Sequence, residues 1–491
     1  MPVPSPVAYL ALLLIVPFAI LAYAVLRPTL ATCAVYLGAL LFLPERVAFD
    51  APVIPPLGKE NLAVLCCFVG LGFTARDKLA RARIGRGIDL LIWLTLAGMV
   101  GTTVTNRDSL QYGPLALPGL SDYDLVAAMV EELLGFLGPF VLGRVVFRGA
   151  RDMRDLLTAM VCAGVIYVPF VAYELRMSPD LHRMIYGFHQ HDFIQTMRGG
   201  GWRPMVFMGH GLALAMMMLD ALLAGWILMR SRCAFLIWPA GPVAGFLTLL
   251  FPFIKSTGAI VYSAVAIPVV LFTSARMQIR VSVVAALLVA AYPVTRLNGS
   301  FPVQELLDGA AQISQERAQS LAFRFDNEKM FMNKAMKRPL FGWGGYDRGN
   351  VYGDWGGEMG VWDGAWIIFL SEWGVVGLIT RFSLVLLPIF MVRRRLRKFA
   401  KPHQLRLAGL SVILGITGID LLPNGFFSAL PMFLAGAVAG LAQGMPSHRS
   451  GAGAQGPSRY PSRWKRPRAW VFPVHHWSLA GGRLPWSRVA V

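Results

Sequence analysis

Apolar residues run along this chain in blocks of about 17 to 25, the length at which a helix crosses the hydrocarbon of a bilayer while satisfying its own backbone. The pattern predicts spans near 7–26, 29–43, 60–75, 88–104, 125–146, 156–175, 204–229, 234–254, 257–274, 279–295, 364–391, 405–421 and 425–443. The expected fold is therefore an all-α polytopic membrane protein with about 12–13 transmembrane helices. The block at 29–43 is short, and Pro17 and Pro28 are placed to break or tilt the first pair. Four regions follow: a transmembrane bundle over 1–295 with an outer loop at 176–203, a large extracytoplasmic loop over 296–363 with short helices, transmembrane helices over 364–445, and a tail over 446–491.

Composition agrees with the pattern. Hydrophobic residues make up 56% of the 491, charged residues only 15%, and mean hydropathy is +0.55. A net charge of +19 invites a nucleic-acid partner, but its distribution argues against one. The basic residues fall in short clusters between apolar blocks: Arg76 to Arg86, Arg144 to Arg154, Arg230 with Arg232, Arg276 with Arg280, and Arg393 to Lys401. Threading the spans puts all of them on one side, as the positive-inside rule requires of cytoplasmic loops. The five cysteines sit in or beside apolar blocks without the spacing of a zinc site. The start of the chain lacks the basic region and cleavage site of a signal peptide, so the first span is expected to stay. The tail after Met445 has no acidic residue and no apolar periodicity, which predicts a disordered, basic, cytoplasmic segment.

The polar residues that could carry chemistry lie on the opposite side. Segment 176–203 holds Arg198 and Arg203 flanking three glycines and Trp202. Glycines let backbone N–H groups approach a ligand, and guanidinium groups grip phosphate oxygens in a fork. An anionic, phosphorylated ligand at the membrane surface is the functional reading; snorkelling to lipid headgroups is the other. His189 and His191 are two apart, which on a strand puts both on one side. They lack further metal ligands nearby and suit a base or a hydrogen-bond partner for a sugar hydroxyl.

Segment 296–363 opens with apolar positions at helical spacing from Leu306 to Ala318, and a second helix is expected from Ala322 to Lys337. Pro339 stops that helix, and a glycine-rich turn from Phe341 to Tyr346 follows, leading into a Gly-rich gap with room for a mobile lid. Arg324 is the favoured basic residue here, with Arg338 beside the turn and Trp343 within it. Asp363 lies just before the next span and Glu372 inside it, where a carboxylate needs a partner or a function.

The stretches RPLFGWGGY and VWDGAWIIFLSEWGVVGL, in that order, resemble the signature region of the O-antigen ligase and polymerase superfamily. The shared pattern is an upstream Arg, the Pro339, Gly342, Gly344 turn, a polar gap, and a span carrying Glu372, Gly374 and Gly377. MRGGGWRPMVFMGHGLALA resembles the family's Arg-containing entrance to a middle span. The resemblance covers most of residues 1–443. It implies an inverting glycosyltransferase of the GT-C type in the bacterial cytoplasmic (inner) membrane, acting on its outer side on polyprenyl-diphosphate-linked glycan.

In that reading Arg198, Arg203 and Arg324 hold the diphosphate and stabilise the leaving group, so neither metal nor other cofactor is expected. Arg198, Arg324 and Asp363 would be catalytic. Arg203, Trp202, His189, His191, Arg338, Trp343 and Glu372 would bind substrate. Asp363 stands where the ligase branch has His, so a polymerase of O-antigen or exopolysaccharide units is favoured over ligase-type transfer to an acceptor. The partners implied are the lipid bilayer and chain-length regulator or export proteins, and no nucleic acid. A lipid-linked glycan flippase is the alternative of another class; it would place charges within the spans along a path.

Overall fold

A computed structural model describes residues 4–445 except 52–53, 81, 83–84, 199 and 426–428. The predicted basic tail at 446–491 lies outside the described residues. Thirteen helices fall on the thirteen expected blocks. They are α1 (Pro6–Val25), α2 (Pro28–Phe42), α3 (Lys59–Thr74), α4 (Leu90–Val104), α5 (Asp122–Val146), α6 (Ala150–Arg176), α7 (Gly211–Arg230), α8 (Ala240–Leu250), α9 (Thr257–Phe272) and α10 (Ala275–Leu297). Two helices of the large loop follow, α11 (Val303–Ile313) and α12 (Gln315–Ala335), then α13 (Ala365–Arg395), α14 (Lys401–Asp420) and α15 (Leu430–Gly444).

Among the described residues, seven helical stretches are long and apolar enough to cross a membrane, so the chain is an α-helical multi-pass membrane protein. Their apolar side chains also point outward. Phe73 and Phe272 are 79% and 80% exposed, tolerable for a lipid-facing surface and costly for one in water.

The basic clusters meet on one face. Lys78 reaches the Val146 carbonyl at the end of α5 and Asp152 at the start of α6, and Arg27 pairs with Asp155. Arg395 donates to the carbonyls of Ala442 and Gln443, Arg144 to Gln443, Arg230 to the Thr273 carbonyl, and Arg406 to Ser231. These contacts let α6 begin at Ala150, six residues before its expected start, because its charged first turns are paired. Pro17 lies inside a continuous α1, whereas Pro28 opens α2 at its first turn, where its missing N–H costs nothing.

The loop-rich face differs from expectation in three places. The two loop helices break at Ser314, whose extended backbone (φ −165, ψ 133) ends the apolar spacing that otherwise reads through to Ala318. Helix α7 starts at Gly211 rather than near 204, because the intervening backbone is spoken for. Buried Glu174 accepts from the N–H groups of Met205 and Val206, both at 2.8 Å, and Gln190 donates to the carbonyls of Val206 and Met208. The Gly-rich gap after Tyr346 is tied down: Met359 N–H bonds the Val351 carbonyl, and Trp362 stacks on Phe331 at 3.8 Å between ring centres.

The glycine-rich turn has a structural task. Helix α13 breaks at Gly374 (φ 64, ψ −165), a conformation open only to glycine. The break removes the helical partners of the Ser371 and Glu372 carbonyls and of the Val375 and Val376 N–H groups. The turn replaces all four: Trp343 N–H bonds Ser371 at 2.8 Å, Gly344 N–H bonds Glu372 at 2.8 Å, and Pro339 and Leu340 carbonyls accept from Val375 and Val376. Each such group left bare in an apolar setting costs several kcal/mol, on the order of 2–7. Cβ atoms at Gly342 or Gly374 would lie 2.5 or 2.4 Å from the opposing backbone, so only glycine permits the interlock.

Candidate functional site

The segment between α6 and α7 places its basic residues by a reciprocal clasp. Arg203 donates from Nε and Nη2 to the Lys255 carbonyl at 3.4 and 3.2 Å, and Lys255 Nζ donates to the Arg198 carbonyl at 3.3 Å. Three glycines make this possible locally. Residues 197–198 and 201–202 pair as a tight hairpin around Gly200 (φ +70), a Cβ on Gly201 would lie 2.3 Å from Lys255 Nζ, and one on Gly211 would meet Arg203 Cδ at 2.5 Å. Arg203 is buried to 9% exposure, and that burial, reinforced by Arg198, pushes its pKa down to about 10, so it stays cationic at neutral pH.

Beside Arg203, His210 caps the start of α7. Its Nδ1 accepts from the Leu212 N–H at 3.0 Å, which leaves the proton on Nε2. Burial, then His191, Arg203 and Arg198, push its pKa down to about 3, so the ring is neutral under ordinary conditions. His191 lies 4.7 Å away between ring centres and also accepts a backbone N–H on Nδ1, from Asp192. Burial first, and Arg46 next, lower its pKa too. Both rings are thus neutral, with the proton on Nε2.

These two histidines, Arg46, Glu45, Lys59 and Glu60 line a cavity of about 260 Å³. Its lining is otherwise largely apolar, with Leu37, Leu40, Leu41, Met217 and Leu430. Lys59 pairs with Glu45, and the cations Arg198, Arg203 and Lys255 stand on the adjoining hairpin and turn. Polar donors beside apolar side chains suit an anionic headgroup with a hydrocarbon chain.

Gly425 also lines this cavity, and behind it stands Asp363, whose carbonyl oxygen would lie 3.0 Å from a Cβ on Gly425. Helix α12 sets that position. Glu328 on α12 accepts from Arg296, Tyr292 and Trp366 at 2.6, 3.0 and 2.7 Å, which binds the helix to α10 and α13. Asn327 holds the Val361 N–H at 3.1 Å. Arg324, one turn before Glu328 on the same face, donates to the Pro423 carbonyl at 3.4 Å and faces Asp363 electrostatically. Among the described residues Oδ2 of Asp363 is buried without a hydrogen-bond partner. Burial raises the carboxyl pKa and Arg324 opposes the rise. A carboxylate of raised pKa is the better proton acceptor.

The remaining residues singled out from sequence lie elsewhere. His189 is turned away from His191, because the backbone there is bent rather than extended; its Nε2 lies 2.6 Å from Asp180. Trp202 packs on Phe193 at 5.5 Å. Arg338 forks onto Asp108 at 3.0 and 2.6 Å, which holds the turn against the end of α4, and stacks over Trp343, whose Nε1 donates to the Lys334 carbonyl of α12.

Glu372 lines a second cavity of about 490 Å³ between α4, α5 and α13. Among the described residues its wall carries Glu60, Asp124, Glu131, Glu132 and Glu372 against a single cation, Arg381. Arg46, Lys59, Lys255 and His210 were not foreseen as site residues. The legible signal was cationic residues on the side where the positive-inside rule leaves few.

No family model matches the chain, and no curated protein does.

Proposed function

We propose that the chain is an inverting glycosyltransferase of the bacterial cytoplasmic membrane that polymerises oligosaccharide repeat units carried on a polyprenyl diphosphate. In this reading the thirteen helices all span, the basic face is cytoplasmic and the loop-rich face is extracytoplasmic. The observation that carries the proposal is a cavity lined by Arg46, two neutral imidazoles and apolar side chains, with the Arg198, Arg203 and Lys255 clasp beside His210 and the Arg324–Asp363 pair behind Gly425.

The diphosphate would sit among the guanidinium and imidazole donors and the first isoprene units beside the apolar side chains. The acceptor hydroxyl attacks the anomeric carbon of the donor sugar as the bond from that carbon to the phosphate oxygen breaks. The hydroxyl proton passes to the Asp363 carboxylate, and the diphosphate leaves with the electron pair, its added charge stabilised by fixed cations. Arg203, already buried and clasped, needs no reorganisation to do this.

A transporter reading draws on one observation: Asp220 and Asp420 line a water-sized cavity of about 30 Å³ that shares Ala213, Met217 and Leu430 with the histidine-lined cavity. Reconstitution in vesicles with a polyprenyl-diphosphate oligosaccharide separates the readings by product. A ladder of lengths, lost in Asp363→Asn while the protein stays in the membrane, is the expected result. A single transfer to an added acceptor would make the chain a ligase. Lipid-linked sugar that only changes sides would overturn the enzyme reading.

A further inference from the structure

We propose that the acidic cavity is the acceptor-sugar site, binding the neutral, hydroxyl-rich end of the growing glycan; the inference rests on the glycosyltransferase reading above. The two cavities are neighbours: Glu60 lines both, and consecutive residues Ala429 and Leu430 line one each. Their polar linings differ. The first balances Arg46 and Lys59 against Glu45 and Glu60 and adds two imidazoles, whereas among the described residues the second sets five carboxyl groups against Arg381, an excess that disfavours a diphosphate and suits a ligand without negative charge.

Its lining is that of a carbohydrate site. Tyr346, exposed on the loop, offers a face for sugar C–H groups, and Phe136, Phe369 and Trp373 line the same cavity. Carboxylates accept hydrogen bonds from hydroxyls, and one of them is short of a donor. Glu132 is 9% exposed; its Oε2 accepts from Arg381 at 2.7 Å, while among the described residues Oε1 is buried with no hydrogen-bond partner. A buried acceptor in that state calls for a donor from a ligand or water.

Arg381 does not cancel the acidity. It is 2% exposed, committed to Glu132, and enclosed by the Phe136, Phe369 and Trp373 rings at 5.3, 5.3 and 4.9 Å. From Asp124 to Glu132 along α5 the wall descends about 12 Å at helical rise, deep enough for more than one sugar ring. Gly344 and Gly345 line the same wall, so the turn interlocked with the α13 break also shapes this cavity.

The test uses the full chain in nanodiscs and an octyl glucoside carrying a diazirine on the sugar, with cross-linked peptides located by mass spectrometry. Labelling is expected on 131–136 and 369–373, suppressed by excess maltose, and reduced at least five-fold in Tyr346→Ala and Glu372→Gln. Tyr346 is exposed on the loop, so its variant keeps the result readable if Glu372→Gln fails to fold. Binding of radiolabelled pyrophosphate is measured in parallel and should be lost in Arg203→Ala but kept in Tyr346→Ala.

Label outside this cavity, or label that maltose and both variants leave unchanged, overturns the acceptor site. If that happens while pyrophosphate still depends on Arg203, the glycosyltransferase reading survives without it. Sugar labelling as expected with no pyrophosphate binding has the opposite meaning: the sugar cavity stands and the diphosphate reading falls.

Discussion

The two cavities on the loop-rich face share Glu60 and differ in almost everything else. The first takes Arg46 and His210 from a loop and a helix start and Lys59 paired with Glu45, and beside it Arg203 and Lys255 are held by backbone carbonyls rather than by carboxylates. The acidic one is built from three helices, and its single cation is already stacked and paired. Cations clasped through neutral partners keep their charge available to a ligand, whereas an arginine fixed on a carboxylate has spent it. By this measure Arg203 and Arg338, both prominent in the sequence, part company: Arg338 is forked onto Asp108 and serves the fold.

The contrast can be broken most severely at the interlock that shapes the acidic cavity. Gly374→Ala places a Cβ 2.4 Å from the Leu340 backbone, far inside contact distance, and forbids φ +64, so folded protein recovered from membranes should drop to background. Gly345→Ala, one step along the same turn with open space at its Cβ, should be recovered at wild-type yield. Equal yields for the two would remove the interlock from the account.

Arg203→Ala comes next. Removing one preorganised cation from a leaving-group site typically costs about 100- to 1000-fold in turnover. Arg338→Ala should instead lower thermal stability while sparing turnover in the protein that remains. Rates that fall alike would erase the distinction drawn between them.

Within the acidic cavity, Arg381→Met should destabilise by about 3–5 kcal/mol, because Glu132 is then a buried charge without its partner. The double variant Arg381→Met, Glu132→Gln should recover much of that loss. Additive losses, measured by thermal unfolding in detergent, would show that the pair is not coupled.

The smallest expected effect is a pH slope. Folding lowers the His210 pKa to about 3 from an ordinary 6.5, so the unfolded chain binds the extra proton between those values. The stability contributed by the neutral ring is therefore full above about 6.5 and is lost as pH falls toward 3. His210→Asn should flatten this part of the stability curve; an unchanged slope would assign it to other groups. Pyrophosphate binding should show no His210 titration between pH 5 and 8.

Much of the fold was legible because apolar block length alone decides where helices can form in a membrane. The turn at Pro339 to Gly344 and the Glu372–Gly374 pair were also visible, as two motifs; that they exchange four backbone hydrogen bonds was not, since nothing local links residues thirty apart. The site was legible in part. Arg198, Arg203 and His191 were singled out by composition and spacing, and they do gather near one cavity. His189 was grouped with His191 on the premise of an extended strand, and a bend separates them. Arg46 and His210 passed unnoticed because one lies in a short connection and the other reads as a helix start. Only the packing of α2, α3 and α7 makes them neighbours.

The central claim is that the histidine-lined cavity, and not the acidic one, takes a lipid diphosphate. The most direct measurement is a cryo-electron microscopy map of the full chain in nanodiscs with a short-chain polyprenyl diphosphate. Paired phosphate density is expected within hydrogen-bond distance of Arg203 and the His210 Nε2, with the chain running past Leu40 and Met217. Phosphate density beside Glu132 and Glu372, or at the Arg338 cluster, would contradict it.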